Sequence, residues 1–392
     1  MNKALLDPEV QEFLRKNLKM SPAEIALRGS PFSGISSSEL AQQLTGLQKA
    51  EKKLPGWFEQ TQIYYPPKVN LEQTSSEITA KYKASLLKGE KLIDLTGGLG
   101  IDDFYFARNF KELIHCELNA ELSKIAAHNL KHLGCKNISF KNQNSIDFLK
   151  DSNIQYDCIY ADPSRRDGSG GKVFRLADCL PNIPENLELL FSKSDTILIK
   201  TSPLLDLQAG ISELKFVTEI HIVAVNNEVK ELLWFLKKEE CVFQKIKTLN
   251  FTKNKVEKFD GNFNNSPSNV DYSLPKSFLF EPNSAIMKSG LFEEVAVQTQ
   301  TSKLHPNSHL YTSDKEVIFP GRKFQLTGLQ EYKPGLLKKK FKNYKANISV
   351  RNFPESVAVL RKKFKIKDGG KNYLFFTTNI KNEKIVLFCE KI

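Results

Sequence analysis

Apolar residues recur along this chain with two different periods, and the change of period divides it. In the first sixty residues the spacing is helical. Asp7-Pro8-Glu9 sets a cap and a first-turn proline ahead of Val10, Phe13, Leu14 and Leu18. Ser21-Pro22 opens a second helix through Leu27, and Ser37-Ser38-Glu39 a third through Leu54, stopped by Pro55-Gly56. Residues 64–67 read as an extended connector, and 73–77 open a helix that runs through Leu87. The pattern then turns to short apolar runs with helical stretches between them. Residues 92–95, 113–117, 137–140 and 156–161 are predicted as four strands, with a helix over 119–133 capped by Asn119. Residues 187–191 read as helix, 196–200 as a fifth strand, 204–214 as helix and 218–225 as a sixth strand. A turn over 226–230 leads to a seventh strand, 231–237, antiparallel by hairpin. Strands alternating with helices at this spacing predict an α/β fold with a parallel, doubly wound sheet.

From Cys241 onward Lys, Asn and Phe become more frequent, and 262–273 is a polar linker. A small α/β unit is predicted at 241–325. Beyond it, Pro334-Gly335 starts a further element. A strand at 347–351, a helix at 354–364 and strands at 373–377 and 384–389 follow. On that helix Val357, Leu360 and Phe364 form a core stripe, which leaves the neighbouring basic residues exposed. The predicted organisation is therefore a helical domain at 1–70, a sheet domain at 71–240, a small α+β domain at 241–330 and a final one at 331–392.

Composition supports several cores: 40% of the 392 residues are hydrophobic, including 27 Phe. The apolar runs fall short of a membrane span, and the first residues lack the apolar core of a signal peptide. Six scattered cysteines without a C-x-x-C pair read as reduced core residues of a cytoplasmic protein. The six histidines show no metal-binding spacing, and no metal is expected. Charge alters the picture more. Of a net +12, residues 331–392 carry +11, from 16 Lys and Arg against 5 Asp and Glu. A basic surface confined to one module predicts a polyanionic partner, with nucleic acid first. Its charges are interleaved with rings at 338–345 (Lys338, Lys339, Lys340, Phe341, Lys342, Tyr344, Lys345) and at 361–365 (Arg361, Lys362, Lys363, Phe364, Lys365). Lysines meet phosphates, and rings can stack on unpaired bases.

The candidate chemistry sits where the first strand ends, in Asp94-Leu95-Thr96-Gly97-Gly98-Leu99-Gly100. Glycines there permit a sharp strand-to-helix turn and close approach of a ligand. A dinucleotide fingerprint would place a third glycine where Asp103 stands. Asp94 would repel a pyrophosphate but could pair with a cation, which suits S-adenosylmethionine. A glycine-rich turn without any ligand is the alternative. Glu117 follows Asp94 by 23 positions, the spacing of an acid that holds a ribose diol. Ligands in such sheets bind beyond the carboxyl ends of the strands. That edge also gathers Asn144, residues 162–166 (Asp162, Pro163, Ser164, Arg165, Arg166), residues 200–202 and residues 226–228.

On these motifs residues 73–239 resemble a class I S-adenosylmethionine-dependent methyltransferase, a Rossmann-like seven-stranded fold. The whole chain resembles bacterial methyltransferases that end in ferredoxin-like and THUMP-like domains, here 241–330 and 331–392. THUMP domains are RNA-binding modules. The resemblance implies S-adenosylmethionine as cofactor, held by Asp94, Thr96, Gly97, Gly98, Gly100 and Glu117, with Asn144 and Ser145 beside the adenine. It implies an acceptor site at Asp162, Pro163, Arg165 and Arg166. Amino-methylating enzymes carry a related Asp/Asn-Pro-Pro-aromatic motif. Here arginines replace the ring, which suits gripping a phosphate or stacking on a base. The expected function is methylation of a structured RNA (rRNA or tRNA). The alternatives are a methyltransferase acting on a protein or small molecule, and an RNA-binding protein that has lost catalysis.

Overall fold

The computed structural model describes residues 1–165, 175–238, 244–263, 265, 267–341 and 344–392, with the backbone alone at Arg165. The chain forms two compact units, Met1–Val217 with Leu233–Glu240, and Thr218–Leu232 with Cys241–Ile392.

The first unit is built on β1 (Gly89–Asp94), β2 (Phe110–Cys116), β3 (Ile138–Lys141), β4 (Cys158–Ala161) and β5 (Thr196–Thr201). These lie parallel in the order β3-β2-β1-β4-β5. Their apolar runs are continuous because helices cover the sheet, so both faces of each strand are buried: Leu92, Ile93, Ile159, Ile197, Leu198 and Ile199 are fully enclosed. The crossovers start at the side-chain caps that the sequence offers. Asn119 caps Ala120–His132, accepting from the N–H groups of Glu121 and Leu122. Asn144 caps Ser145–Asp151, and Asp206 caps Leu207–Leu214. The N-terminal helices pack on this framework. Ser36 and Glu39 form a capping box at the start of Ser37–Lys53. The connector at 64–67 is extended, and Tyr64, Tyr65 and Pro66 in it are buried, because Gln43 and Asn129 satisfy the backbone of Tyr65 and Tyr64.

All seven predicted strands form. The sixth and seventh are β6 (Val217–Val225) and β7 (Glu228–Lys237). The turn between them is tighter than the predicted 226–230. Asn226 and Asn227 both take positive φ (51° and 64°), a conformation Asn tolerates, so two residues suffice and Glu228 is already strand. In the second unit β8 (Lys245–Phe251) pairs parallel with β6, and β9 (Val256–Asn262) pairs antiparallel with β8. Neither is expected from the sequence, because the Lys and Asn of 245–262 mask a strand period.

The remainder of this unit is a seven-stranded sheet of β10 (Phe278–Pro282), β11 (Ser302–Lys303), β12 (Tyr311–Ser313), β13 (Gly321–Glu331), β14 (Asn347–Arg351), β15 (Asn372–Thr378) and β16 (Lys384–Lys391), in the order β11-β12-β10-β13-β16-β15-β14. The long β13 is likewise not apparent in the sequence pattern. The predicted helix at 354–364 begins at Val357, because Ser356 caps it through the Val359 N–H. A single carboxylate ties three of these strands together. Glu281 on β10 is 2% exposed and is held by Arg322 of β13, whose Nε lies at 2.7 Å, and by Arg351 of β14 at 2.8 Å. Removing one partner of a buried charge set leaves the others uncompensated. Glu281→Ala is expected to destabilise the protein by about 2–3 kcal/mol, measured as a lower urea midpoint by far-ultraviolet circular dichroism. Glu281→Gln, which keeps the shape, should lose less.

Candidate functional site

The loop after β1 is organised by one carboxylate. Asp94 ends the strand 2% exposed. Its Oδ1 accepts from the Thr96 N–H at 2.7 Å and from the Thr96 hydroxyl at 3.0 Å. The same hydroxyl accepts the N–H of Asp162 at 2.7 Å. A residue of the glycine loop thus fixes the first residue of the motif after β4. Gly98 (φ +56°) and Gly100 (φ +77°) use backbone conformations that side chains resist. A Cβ on Gly97 would collide with the His115 ring, and one on Gly100 with Leu130, whereas one on Gly98 would meet only the Thr96 carbonyl at 3.7 Å. The loop is therefore packed from below and open at Gly98. Beyond β2, Glu117 accepts the Gly98 N–H at 3.0 Å and the Asn119 N–H at 2.7 Å, so the second acid closes on the same glycine.

Beneath the loop lies a polar cluster that sequence reading misses. His115 Nδ1 is 2.6 Å from Asp103 Oδ2, and both side chains are fully buried. Asp103 and Asp94 are close enough to affect each other's ionisation. Burial, then the neighbouring Asp103, holds the Asp94 carboxyl well above the usual range. Burial likewise raises Asp103, lowers the His115 imidazole and pushes the Cys116 thiol up to about 12. Next to it the fully buried Lys83 meets Asp102 at 3.1 Å and Ser75 at 2.7 Å, and Asp102 also accepts from Ser75 and Tyr160, each at 2.8 Å. The only signal in the sequence is an acid, Asp103, in the third-glycine position. Nothing in the strand pattern distinguishes His115 from a core residue.

In the motif after β4, the carboxylate of Asp162 forms an ion pair with Lys200 at the end of β5. In sequence Lys200 is readable only as a strand-end lysine. Pro163 is buried, and Ser164–Arg165 pairs antiparallel with Cys179–Leu180. The Arg165 side chain and all of Arg166 lie outside the described residues. The Asn144 side chain is used as a helix cap, accepting from Ile146 and Asp147, and Ser145 is 6% exposed. Asn226 and Asn227 form the β6–β7 turn, and Glu228 pairs with Lys230 at 2.6 Å. The five described cysteines are free; Cys241 lies outside the described residues. Among the described residues no His, Cys, Asp and Glu group could hold a metal, and no helix is long and apolar enough to cross a membrane.

In the basic module Lys338, Lys339, Lys340, Lys345, Lys362 and Lys365 are exposed. Lys342 lies outside the described residues. Arg361 pairs with Asp368, and Lys363 with Glu355 at 2.9 Å. The rings do not present themselves for stacking. Phe341 and Phe364 belong to the core with Leu337, Leu360 and Phe376, and Tyr344 packs against it. Helical spacing places them inward while the lysines between them turn out.

Residues 278–320 match the family model of a ferredoxin-like domain and residues 321–391 that of a THUMP-like domain. No curated protein matches the chain. Its fold is similar to a crystal structure assigned as a methyltransferase from Porphyromonas gingivalis W83. The two are 32% identical with a TM-score of 0.88, over 100% of this chain and 98% of that one. Slighter likenesses include an rRNA methylase from Streptococcus thermophilus, 15% identical with a TM-score of 0.31, over 42% of this chain and 95% of that one. A SAM-dependent methyltransferase from Agrobacterium tumefaciens is 14% identical with a TM-score of 0.32, over 42% and 61%.

The packing under the loop sets an order among glycine substitutions. Gly97→Ala should lower stability by about 2–3 kcal/mol through overpacking against His115. Gly98→Ala should lose only about 1 kcal/mol, from its positive φ. Thermal unfolding of the two variants checks that order.

Proposed function

We propose that the chain, which belongs to the methyltransferases that carry ferredoxin-like and THUMP-like C-terminal domains, is a class I enzyme that methylates a structured RNA in the cytoplasm with S-adenosylmethionine as donor. One observation carries the donor assignment: an acid stands under the loop where a dinucleotide would put its pyrophosphate, and a second stands where a ribose diol would be held. Asp94 closes β1 under a glycine loop that is open at Gly98, and Glu117 closes β2 against the same loop. That chemistry fits a ligand with a cationic end and a ribose diol and without phosphate. Asp94, Thr96, Gly97, Gly98 and Gly100 are assigned to the methionine end, Glu117 to the ribose, and Asn144 and Ser145 to the adenine edge. The donor supplies a methyl group on a sulfonium.

The residues of this chain then have positioning work to do, since methyl transfer gains chiefly from holding donor and acceptor in line. Thr96 links the donor loop to Asp162 through one hydroxyl. Lys200 fixes the Asp162 carboxylate, which we assign to orienting the acceptor atom or receiving its proton. Pro163, Arg165 and Arg166 complete the acceptor side. The THUMP-like match and the exposed lysines support RNA as the partner. Because the rings of that module face its core, affinity rests on binding phosphates rather than on stacking.

Three measurements test this reading. Asp94→Ala should abolish the binding heat of S-adenosylmethionine, while a donor isotherm unchanged by that substitution would refute the site. Replacing Lys338, Lys339, Lys362 and Lys365 by Ala in the full chain should weaken RNA binding. It should also flatten the plot of log affinity against log salt by about one unit for each phosphate that is no longer neutralised. Mass spectrometry of nucleosides from cells with and without the protein should show one methylated nucleoside missing. An unchanged RNA profile beside altered protein methylation would overturn the RNA assignment.

A further inference from the structure

The cluster beneath the glycine loop has more carboxyl groups than cations to match them. Asp94 comes from β1, Asp102 and Asp103 from the helix Ile101–Phe106, His115 and Cys116 from β2, and Glu117 follows β2. Lys83 arrives on the helix Glu77–Leu86 and Tyr160 on β4. Lys83, the fixed cation facing this group, is taken by Asp102, which Ser75 and Tyr160 also serve. Asp94 and Asp103 are left as neighbours at 2% and 0% exposure, with His115 hydrogen-bonded to Asp103. Asp103 Oδ1 and His115 Nε2 are buried with no hydrogen-bond partner. Two dry carboxylates cannot both stay ionised side by side, and the ordinary resolution is a proton held between them.

Resting on the donor assignment above, we propose that Asp103 and His115 are positioning residues for the methyl donor: with Asp94 they hold one proton between two buried carboxyls in the donor-free protein, and they release it when the donor's cationic end arrives. The O–H bond of the protonated carboxyl breaks, its electron pair stays on the carboxylate, and the proton passes to solvent. The ammonium of the donor then supplies the positive charge that the site lacks. Burial and the facing carboxyl both favour the protonated pair before binding, and an approaching cation favours ionisation. Proton release makes binding tighter as pH rises, through the interval between the donor-bound and donor-free ionisations. His115, wedged under Gly97, keeps Asp103 turned toward Asp94 through its Nδ1 hydrogen bond.

Calorimetry of S-adenosylmethionine binding to the full chain at pH 7 tests this directly. At that pH the donor's α-amino group is already mostly protonated and could only take up a small fraction of a proton, so a net release comes from the protein. The observed heat, measured in phosphate, imidazole and Tris, should vary linearly with the ionisation enthalpy of the buffer, with a slope of roughly one proton released. Asp103→Asn should bind the donor with a smaller slope, because Asp94 then loses the facing carboxyl and keeps only the effect of its own burial. A wild-type heat independent of buffer overturns the proposal whether or not the variant folds. An undiminished slope in a folded Asp103→Asn overturns it too, since the proton would then come from elsewhere. A chain that gives no saturating heat in any buffer defeats the donor assignment itself, a result distinct from saturable binding without proton release.

Discussion

The hydroxyl of Thr96 is the point on which the site turns. It donates to Asp94, the last residue of β1, and accepts from the backbone of Asp162, the first residue past β4. Two adjacent parallel strands are thereby held in step just beyond their carboxyl ends, where an open α/β sheet presents its ligands. Each side of the site depends on it. The glycine loop keeps its curvature because Asp94 caps it from inside, and Asp162 meets Lys200 only because its backbone is fixed first. A valine would fill the same volume and break both links.

This arrangement carries an electrostatic burden. Like charges about 4 Å apart cost about 4 kcal/mol even at an effective dielectric constant near 20. The protein packs four carboxylates (Asp94, Asp102, Asp103 and Glu117) around one turn of chain. It deals with each by different means. Asp102 has a buried lysine and two hydroxyls. Glu117 takes two backbone N–H groups. Asp94 takes the amide and hydroxyl of Thr96. Among the described residues, Asp103 has the imidazole of His115 alone. The residue with the poorest compensation lies directly behind the one assigned to the donor's cation.

The parts of this design that are legible in sequence are those that use local rules. Asn119, Asn144 and Asp206 announce helix starts because a short polar side chain at that point can serve only the next turn. β1, β4 and β5 announce themselves because the stretches buried on both faces must be apolar. The parts that are not legible depend on partners far away in the chain. His115 sits in an apolar strand as a core residue would, and only the fold brings Asp103 against it. β8 carries a lysine and an asparagine whose partners lie on the neighbouring strands: Lys247 meets Glu219 of β6, and Asn250 meets Glu257 of β9. A strand that hides its polar residues in ion pairs loses the period by which strands are recognised. The rings of the basic module mislead in the opposite direction. Interleaving with lysine suggests stacking, but helical geometry turns Phe341 and Phe364 into the core.

The two units each bury a carboxylate almost completely, at Asp94 and at Glu281, and the contrast explains why one suits ligand binding and the other does not. Glu281 is 2% exposed, as is Asp94, yet two arginines from neighbouring strands neutralise it permanently. Both cations belong to the chain itself and stay in place. Its effect is confined to joining β10, β13 and β14. Asp94 has no such cation. It is held by a threonine and faced by another acid, so its ionisation depends on what occupies the open side of the loop. A site that must bind a mobile cation gains by leaving its own counter-charge out, because the ligand then supplies the missing interaction. On the proposed reading, the incomplete pairing under the glycine loop becomes a source of affinity for the donor, whereas the pairing at Glu281 joins strands.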